Sequence, residues 1–385
     1  MRGLKKQNQH TTGVIRLFAS VIALERSCSM QSRKIINTCS GGVQSSGLGS
    51  IHSNIIQQTF GQRTYHYAII QPMTYLALAS FFIFGIIIGS FLNVVIYRYN
   101  TGLSVAKGRS KCFSCNTPLG ILDLIPVLSY VASKGKCRHC HSPVSMQYPL
   151  VEILTGVVLT AIAYMYFFSA HSATFIGMHM FNTSNVFHVF LAHPWLQMIF
   201  LIIDLSIASL MIAIAVYDIK HKIIPDGLVY AAAGLGLVKM ALALFLFGYV
   251  GVFDFAFSIT AGLITALPFA LIWLISGGRW MGLGDAKLAL VIGWVLGISN
   301  GFTALVYSFW IGCIAILGIM LIRELINAFS DNHNAFKLRL FKAHTVSKLI
   351  EYVPALKLKS ELPFAPYMIL GLYVVYFTGK TLFSL

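Results

Sequence analysis

Length, composition and charge exclude most classes of protein. The 385-residue chain is 57% hydrophobic and only 10% charged, with a mean hydropathy of +0.76, which is far from the composition of a soluble globular domain. Several apolar stretches reach the ~20 residues that cross a bilayer. The net charge of +16 comes mostly from basic residues between apolar runs, where membrane orientation places them. We therefore predict an all-α polytopic integral membrane protein with no nucleic-acid partner.

Residues 1–72 do not resemble the rest of the chain. They are basic, with Glu25 as the single acid, and residues 40–53 are rich in Gly, Ser and Gln, a composition typical of disorder. Met73 opens a new apolar segment directly before the first span. We expect residues 1–72 to be either a disordered extension or the product of a misassigned start.

A polar segment, residues 98–147, follows the first transmembrane helix at 73–97. Its basic flanks predict a cytoplasmic location, and it contains two Cys-x-x-Cys pairs. Two such pairs 21 residues apart approach the spacing of a four-thiolate zinc site, and zinc supplies folding energy to a small lobe. Two disulfides or a redox pair are the alternatives, although disulfides do not persist in the cytoplasm. The predicted zinc ligands are Cys112, Cys115, Cys137 and Cys140.

The predicted membrane core spans residues 148–322 and carries few acids. Asp218 ends the third apolar run, and Asp285 lies in Gly282-Leu283-Gly284-Asp285-Ala286-Lys287, before a short sixth run. Because two runs intervene, both aspartates are expected on the same cytoplasmic face. Asp226 is a third candidate, in a turn or helix cap, whereas Asp204 is a lone acid inside a span and a weaker one.

Glu152 is predicted in the first turn of the second span, where the helix dipole favours an anion. A functional role for Glu152 is an equal alternative. A basic cytoplasmic insert, residues 323–362, precedes a last transmembrane helix at 363–385, which gives about eight crossings in total.

Two close carboxylates suggest aspartic chemistry. They cannot both ionise comfortably, so they share a proton, and one acts as base while the other acts as acid. Helix dipoles predict the charge on Asp285 and the proton on Asp218. Gly282 and Gly284 would permit unusual backbone conformations and close approach. Alternatively, the two aspartates merely cap helices or pair with Lys220 and Lys287.

Several motifs occur together in an order that resembles bacterial type IV prepilin peptidases, over about residues 73–385. The motifs are Gly89-Ser90-Phe91-Leu92-Asn93, the two cysteine pairs, Tyr148-Pro149-Leu150-Val151-Glu152, Asp218 with Pro225-Asp226, Gly282-Leu283-Gly284-Asp285-Ala286-Lys287, and Pro363-Phe364-Ala365-Pro366. Gly282-Leu283-Gly284-Asp285 is also similar to the GxGD signature of presenilin-type intramembrane proteases.

The resemblance implies a bacterial inner-membrane peptidase that removes the leader of prepilins or pseudopilins at the cytoplasmic face. It implies that Asp218 and Asp285 are catalytic and that the four cysteines bind zinc. It also implies N-methylation of the new amino terminus with S-adenosylmethionine, although no glycine-rich nucleotide loop follows a strand. A proton-coupled transporter and an inactive zinc-stabilised membrane scaffold remain the alternatives.

Overall fold

A computed structural model describes residues 75–105, 107–168, 194–246, 252–331 and 363–379. The predicted extension at 1–72 and most of the predicted insert, residues 332–362, lie outside these ranges. Nine α-helices occur in the described residues: α1 Tyr75–Arg98, α2 Leu128–Ala132, α3 Gln147–Phe168, α4 Pro194–His221, α5 Asp226–Leu246, α6 Val252–Ser276, α7 Leu283–Leu296, α8 Ile298–Asp331 and α9 Ala365–Thr378.

The regular secondary structure of the described residues is helical, and these residues contain no strand longer than an isolated bridge. Six helices, namely α1, α3, α4, α5, α6 and α8, are long and apolar enough to cross a membrane. The prediction of an all-α membrane protein is therefore confirmed. Helices α7 and α9 have only 14 residues each, about 21 Å at 1.5 Å per residue, so the count of eight crossings stays a prediction.

The two short helices lie in the centre of the bundle. Helix α7 packs on α5, α6, α8 and α9, and α9 also packs on α4. The side chains of Leu288 and Ile292 in α7 and of Met368 in α9 are fully buried among apolar residues. Burial on most sides explains why the sequence of α7 is apolar around the whole helix, whereas α9 keeps one exposed apolar face at Leu370 and Val374. The short helices are thus fixed in place by the longer ones.

Helices α1 and α3 approach each other through small residues. A Cβ atom added to Gly85 would lie 2.7 Å from the Cα atom of Gly156, and one added to Gly89 would lie 2.7 Å from the Cα atom of Glu152. Glycines allow such close backbone contact between membrane helices. Gly85 and Gly89 therefore serve helix packing, and the contact brings Glu152 against α1.

Helix α8 is longer than its apolar run. The apolar part ends at Ile322, but the helix continues to Asp331. The beginning of the predicted insert is therefore helical, because hydropathy marks where a membrane ends and not where backbone hydrogen bonding ends.

Candidate functional site

Asp218 is buried near the end of α4 and is held by the start of α9. Its side chain is 4% exposed, and its Oδ2 atom accepts a hydrogen bond of 3.2 Å from the backbone N–H of Ala365. Ala365 is the first residue of α9, and the first N–H groups of a helix have no partner within the helix. Asp218 therefore satisfies a donor that α9 would otherwise leave buried and unpaired.

Asp285 lies in the first turn of α7, whose N-cap residue is Gly282. Burial and, to a smaller extent, the neighbouring negative charge of Asp218 together raise the pKa of Asp285 to about 6. The two carboxyl groups are therefore electrostatically coupled. Asp218 and Asp285 lie at the same end of the bundle because α5 runs away from this end and α6 runs back to it. The two apolar runs between the aspartates in the sequence predict this arrangement.

The contacts of this aspartate pair include a donor that the assignment from helix dipoles does not consider. The backbone N–H of Ala365 stabilises a negative charge on Asp218. The dipole argument considered only the helix that carries each aspartate. It did not include the N-terminus of α9, where Ala365, 147 positions later in the chain, donates its backbone N–H to Asp218.

The lysines next to the aspartates have other partners. Lys287 Nζ lies 2.8 Å from Asp226 Oδ1, and it also lies over the ring of Tyr230. Lys220 Nζ lies 5.1 Å from the centre of the Tyr97 ring. The alternative in which Lys220 and Lys287 neutralise the pair is thus not what the structure shows. Asp226 is the first residue of α5, so it lies at a helix start, as its sequence context predicts.

Gly284 allows α7 to approach the chain that follows α4. A Cβ atom at Gly284 would lie 2.9 Å from the branched Cβ atom of Ile224, whereas one at Gly282 would find its nearest atom 3.8 Å away, at Asp285 Oδ2. Gly282 has an ordinary φ of −74°, and Gly284 is also absent from the positive-φ glycines of the described residues. Close approach at Gly284 is therefore the requirement, and the predicted unusual backbone conformation is wrong.

We expect Gly284→Ala to reduce the kcat/KM of any reaction that the aspartate pair catalyses by roughly 10- to 100-fold, because the added methyl group pushes Ile224, in the chain that follows α4, away from α7. Gly282→Ala is the matched control, and its effect should be several-fold smaller. Steady-state kinetics on both variants measure the difference, and equal losses would contradict the explanation by close approach.

The four predicted cysteines form one cluster. The Sγ atoms of Cys112, Cys115, Cys137 and Cys140 all lie within 4.8 Å of one another, and every cysteine in the described residues is a free thiol. Each Cys-x-x-Cys pair has the same backbone pattern, in which the N–H groups of Cys112 and Cys137 donate to the carbonyls of Thr117 and Ser142. The two knuckles are thus structural repeats.

The cluster fits a tetrahedral metal ion. Cys112 Sγ and Cys140 Sγ are 3.8 Å apart, and a tetrahedron with Zn–S bonds of ~2.3 Å has edges of about 3.8 Å. The backbone N–H groups of Cys115 and Ser114 lower the pKa of Cys112 to about 6, which favours the thiolate form that binds metals. Four thiolates would give zinc a closed site, which is structural and not catalytic.

We expect purified protein to contain one zinc ion per chain. Because loss of an outer-shell group already costs 10- to 100-fold in affinity, Cys112→Ser should weaken zinc binding by at least about 100-fold. Cys313, an exposed free thiol of α8, provides the control, and Cys313→Ser should keep full zinc content by elemental mass spectrometry. Equal zinc content in both variants would contradict the assignment.

Glu152 does not lie where the sequence predicts. Helix α3 begins at Gln147 and has no acid in its first turn, so the dipole explanation for Glu152 is wrong. Its side chain is 6% exposed, and Oε2 accepts a hydrogen bond of 2.7 Å from the N–H of Val127. Val127 has a φ of +60°, which is strained for a β-branched residue. Glu152 thus fastens a strained turn of the cysteine lobe, residues 99–146, to the membrane bundle.

A buried ion pair in the centre of the bundle was missed by sequence reasoning. Asp204 is not a lone acid, because Lys239 Nζ lies 2.6 Å from its Oδ1 atom. The hydroxyl groups of Tyr166 and Tyr376 donate to its Oδ2 atom. Asp204 lies 14 residues before Asp218, and Lys239 lies 13 residues after Asp226. Consecutive antiparallel helices place them at the same depth, a signal that the sequence contained.

Two family models match the chain. The model described as the bacterial peptidase A24 N-terminal domain matches residues 83–166, and the model described as the type IV leader peptidase family matches residues 205–318. The first covers most of α1, the cysteine lobe and most of α3, and the second covers both aspartates. No solved structure shows a significant match.

Curated relatives agree with the family models. A protein of Bacillus subtilis (strain 168) named prepilin leader peptidase/N-methyltransferase is 31% identical over 239 residues, which are 62% of this chain and 81% of that protein. One of Aeromonas hydrophila with the same name is 28% identical over 280 residues, 66% of this chain and 84% of that protein. The fold, the aspartate pair and these matches together show that the chain belongs to the type IV leader peptidase family.

Proposed function

We propose that this chain removes the leader peptides of type IV prepilins or pseudopilins, and that Asp218 and Asp285 are its catalytic pair. Membership of the leader peptidase family supports the reaction. The observation that carries the residue assignment is the electrostatic coupling of two carboxyl groups, a buried one at the N-terminus of α9 and a partly buried one at the N-terminus of α7. Paired carboxyls with one shared proton are the working groups of aspartic proteases.

In the proposed mechanism Asp218 is the base and Asp285 is the acid. Asp218, whose charge the Ala365 amide stabilises, takes a proton from water as the water oxygen bonds to the scissile carbonyl carbon. Asp285 donates its proton to the carbonyl oxygen. The C–N bond then breaks as the leaving amine receives the proton from Asp218, while Asp285 takes back the proton of the hydroxyl group that becomes the new carbonyl. The new amino terminus is released beside the aspartate pair.

We propose that the pair faces the cytoplasm of a bacterial inner membrane. The cysteine lobe lies at the same end of the bundle as the pair, since the N–H of Gly227 at the start of α5 donates to the hydroxyl of Tyr99 over 2.8 Å. The lobe carries many lysines and arginines, and segments rich in these residues remain in the cytoplasm. A leader with positive charge would be presented from the same side. The hydrophobic segment of the substrate would lie in the bilayer.

We propose N-methylation as a second activity, because the relatives carry it in their names. The methyl donor would be S-adenosylmethionine, and the zinc of the cysteine lobe would be structural. The proposed domain organisation follows: a membrane peptidase core at 148–322, a zinc lobe at 98–147, and helices 73–97 and 363–385 that complete the bundle.

The test incubates a prepilin or pseudopilin with the purified full-length chain in nanodiscs, with and without S-adenosylmethionine, and measures the products by mass spectrometry. We expect loss of the leader in both reactions and one added methyl group only with S-adenosylmethionine. An intact substrate, across a panel of prepilins and pseudopilins that a relative cleaves in parallel, would overturn the peptidase in favour of the inactive scaffold.

A further inference from the structure

The cysteine lobe exposes an apolar segment, residues 121–132, between its two knuckles. The segment contains one charged side chain, that of Asp123. Six of its large apolar side chains are exposed, namely those of Ile121, Leu122, Leu124, Ile125, Leu128 and Val131. Ile121 is 86% exposed and Leu128 is 68% exposed. Clustered apolar exposure of this kind marks a contact with a protein or a membrane, so the apolar segment indicates a partner.

The charge of Asp123 is paired within the lobe. Arg138 Nε lies 3.0 Å from Asp123 Oδ1, and the backbone N–H of Gly120 donates to Asp123 Oδ2 over 3.1 Å. A carboxylate that is paired and hydrogen-bonded costs far less to bring towards an apolar phase than a free one. The single acid therefore does not prevent the apolar segment from entering a lipid environment.

Helix α2 separates the apolar side chains of the segment from its polar ones. The helical period places Leu128, Val131 and Ala132 on one face, and all three are exposed. Ser129 and Tyr130 lie on the opposite face, where they line the cavity between the lobe and the membrane helices. The apolar face is thus turned away from the protein, as in segments that lie in a membrane interface.

The turn that precedes α2 lies level with the ends of the membrane helices. The N–H of Val127 donates to Glu152, which lies five residues after Gln147, or about 8 Å along α3. A Cβ atom at Gly89 would lie 2.7 Å from the Cα atom of Glu152. Gly89 lies nine residues, or about 14 Å, before the end of α1 at Arg98. Both helices are long enough to cross a membrane, so the turn does not project beyond their ends.

The exposed face of α2 continues the exposed side of α3. The hydroxyl of Tyr130 donates to Met146 Sδ over 3.5 Å, and the exposed Met146 directly precedes α3. Leu150 and Leu154, on the following turns of α3, are also exposed. Exposed apolar side chains on a membrane-crossing helix face lipid. The apolar segment therefore lies beside a surface that already contacts the bilayer.

Basic residues follow the apolar segment directly. Lys134 and Lys136 come after α2 in the chain, and both are exposed. Anionic headgroups of the cytoplasmic leaflet attract lysines that lie near the membrane surface. Apolar side chains next to lysines are complementary to an anionic lipid surface, which offers acyl chains below and negative charge above.

We propose that residues 121–132 insert their apolar face into the cytoplasmic interface of a bilayer that contains anionic lipids. The segment does not cross the membrane, because twelve helical residues extend about 18 Å and the hydrocarbon core is ~30 Å thick. Glu152 holds this part of the lobe on the protein side and lipid holds it on the other. The lobe is then fixed at the membrane surface and is not a freely rotating cytoplasmic domain.

The experiment places the full-length chain, without any prepilin, in nanodiscs of phosphatidylethanolamine and phosphatidylglycerol. A trace phospholipid carries a photoreactive diazirine in its acyl chain, and mass spectrometry quantifies the labelled residues after irradiation. We expect labelling of residues 121–132 to be within a few-fold of that of the exposed Ile87 and Phe91 of α1. The fully buried Leu288 and Ile292 of α7 give the background level.

Leu128→Glu should reduce labelling of residues 121–132 at least about threefold, because a charge replaces an apolar side chain at the lipid contact. Val131→Glu, on the same face of α2, should have a similar effect. Ser129→Glu is the matched control, since it adds the same charge at the adjacent position on the opposite face, and it should keep the labelling of the wild type. Melting temperatures identify any variant that fails to fold.

Background labelling of residues 121–132 in the wild type, beside normal labelling of α1, would assign the apolar segment to a protein partner and overturn the inference. Equal labelling in the folded variants Leu128→Glu, Val131→Glu and Ser129→Glu would also overturn it. Labelling does not require leader cleavage, so failure of the proposed peptidase function would leave this result unchanged.

Discussion

Asp218→Asn and Asp285→Asn should each abolish leader cleavage, with kcat/KM reduced by at least about 10³-fold. General acid and base groups contribute 10²- to 10⁴-fold each, and the two carboxyls act as a unit, so the double variant should be little worse than either single one. The isosteric amide keeps an oxygen that can accept from the Ala365 N–H at position 218. Loss of activity would therefore report lost acid–base chemistry and not lost packing.

The matched control for the aspartate pair is Asp226→Asn. Asp226 lies at the same end of the bundle, pairs with Lys287 and is 57% exposed in its side chain. An exposed ion pair contributes about 0–1 kcal/mol, so cleavage by this variant should remain within a few-fold of wild type. Quantitative mass spectrometry of the leader and the mature pilin over a time course measures the activity of the wild type and of all four variants. Cleavage that survives in both Asp218→Asn and Asp285→Asn would end the aspartic mechanism.

Lys239→Met should destabilise the protein by about 3–5 kcal/mol, the second large effect that we expect. Removal of one member of a buried ion pair leaves an uncompensated charge at low dielectric. Lys239 and Asp204 are 5% and 4% exposed, and Asp204 connects four helices, α3, α4, α5 and α9, through Tyr166, Lys239 and Tyr376. The hydroxyls of Tyr166 and Tyr376 still donate to Asp204 in this variant, but they do not replace the positive charge of Lys239.

The double variant Asp204→Asn/Lys239→Met should recover most of that stability, because neutral groups of similar size fill the same space and the amide oxygen still accepts from both tyrosines. Reversible unfolding in detergent gives the free energies. The exposed Asp226–Lys287 pair again provides the comparison, and Lys287→Met should cost no more than about 1 kcal/mol. A cost for Lys239→Met that matches Lys287→Met would show that Asp204 and Lys239 contribute no more than a surface pair.

Helix positions and the face shared by the aspartates follow from sequence because they depend on local rules. The apolar runs predict the six long helices, since a bilayer admits only segments of about 20 apolar residues with internally paired backbone. The number of apolar runs between Asp218 and Asp285, which is two, then places both residues at one end of the bundle without any knowledge of packing. The cysteine spacing predicts the cluster, because the two knuckles are short and each fixes its own backbone.

Contacts between distant segments are what sequence reasoning did not find. The Ala365 amide, the Val127 amide and Lys239 each meet a carboxylate more than 24 residues away in the chain. Each of these contacts adds a hydrogen-bond donor or a positive charge beside a carboxyl group. The dipole explanation of Glu152 was therefore wrong, and the position of the proton in the aspartate pair stays a prediction. A helix dipole can be read from one segment, but the donors around a buried carboxyl come from every helix packed against it.

The sequence by itself therefore determined the class of protein, the order of its helices, the aspartate pair and the cysteine cluster, because hydropathy, crossing number and ligand spacing are properties of consecutive residues. Only the tertiary structure decided the environment of each carboxyl and the exposure of the apolar segment of the lobe. Burial and hydrogen bonding set the energy of a charge, and both depend on which helices surround it.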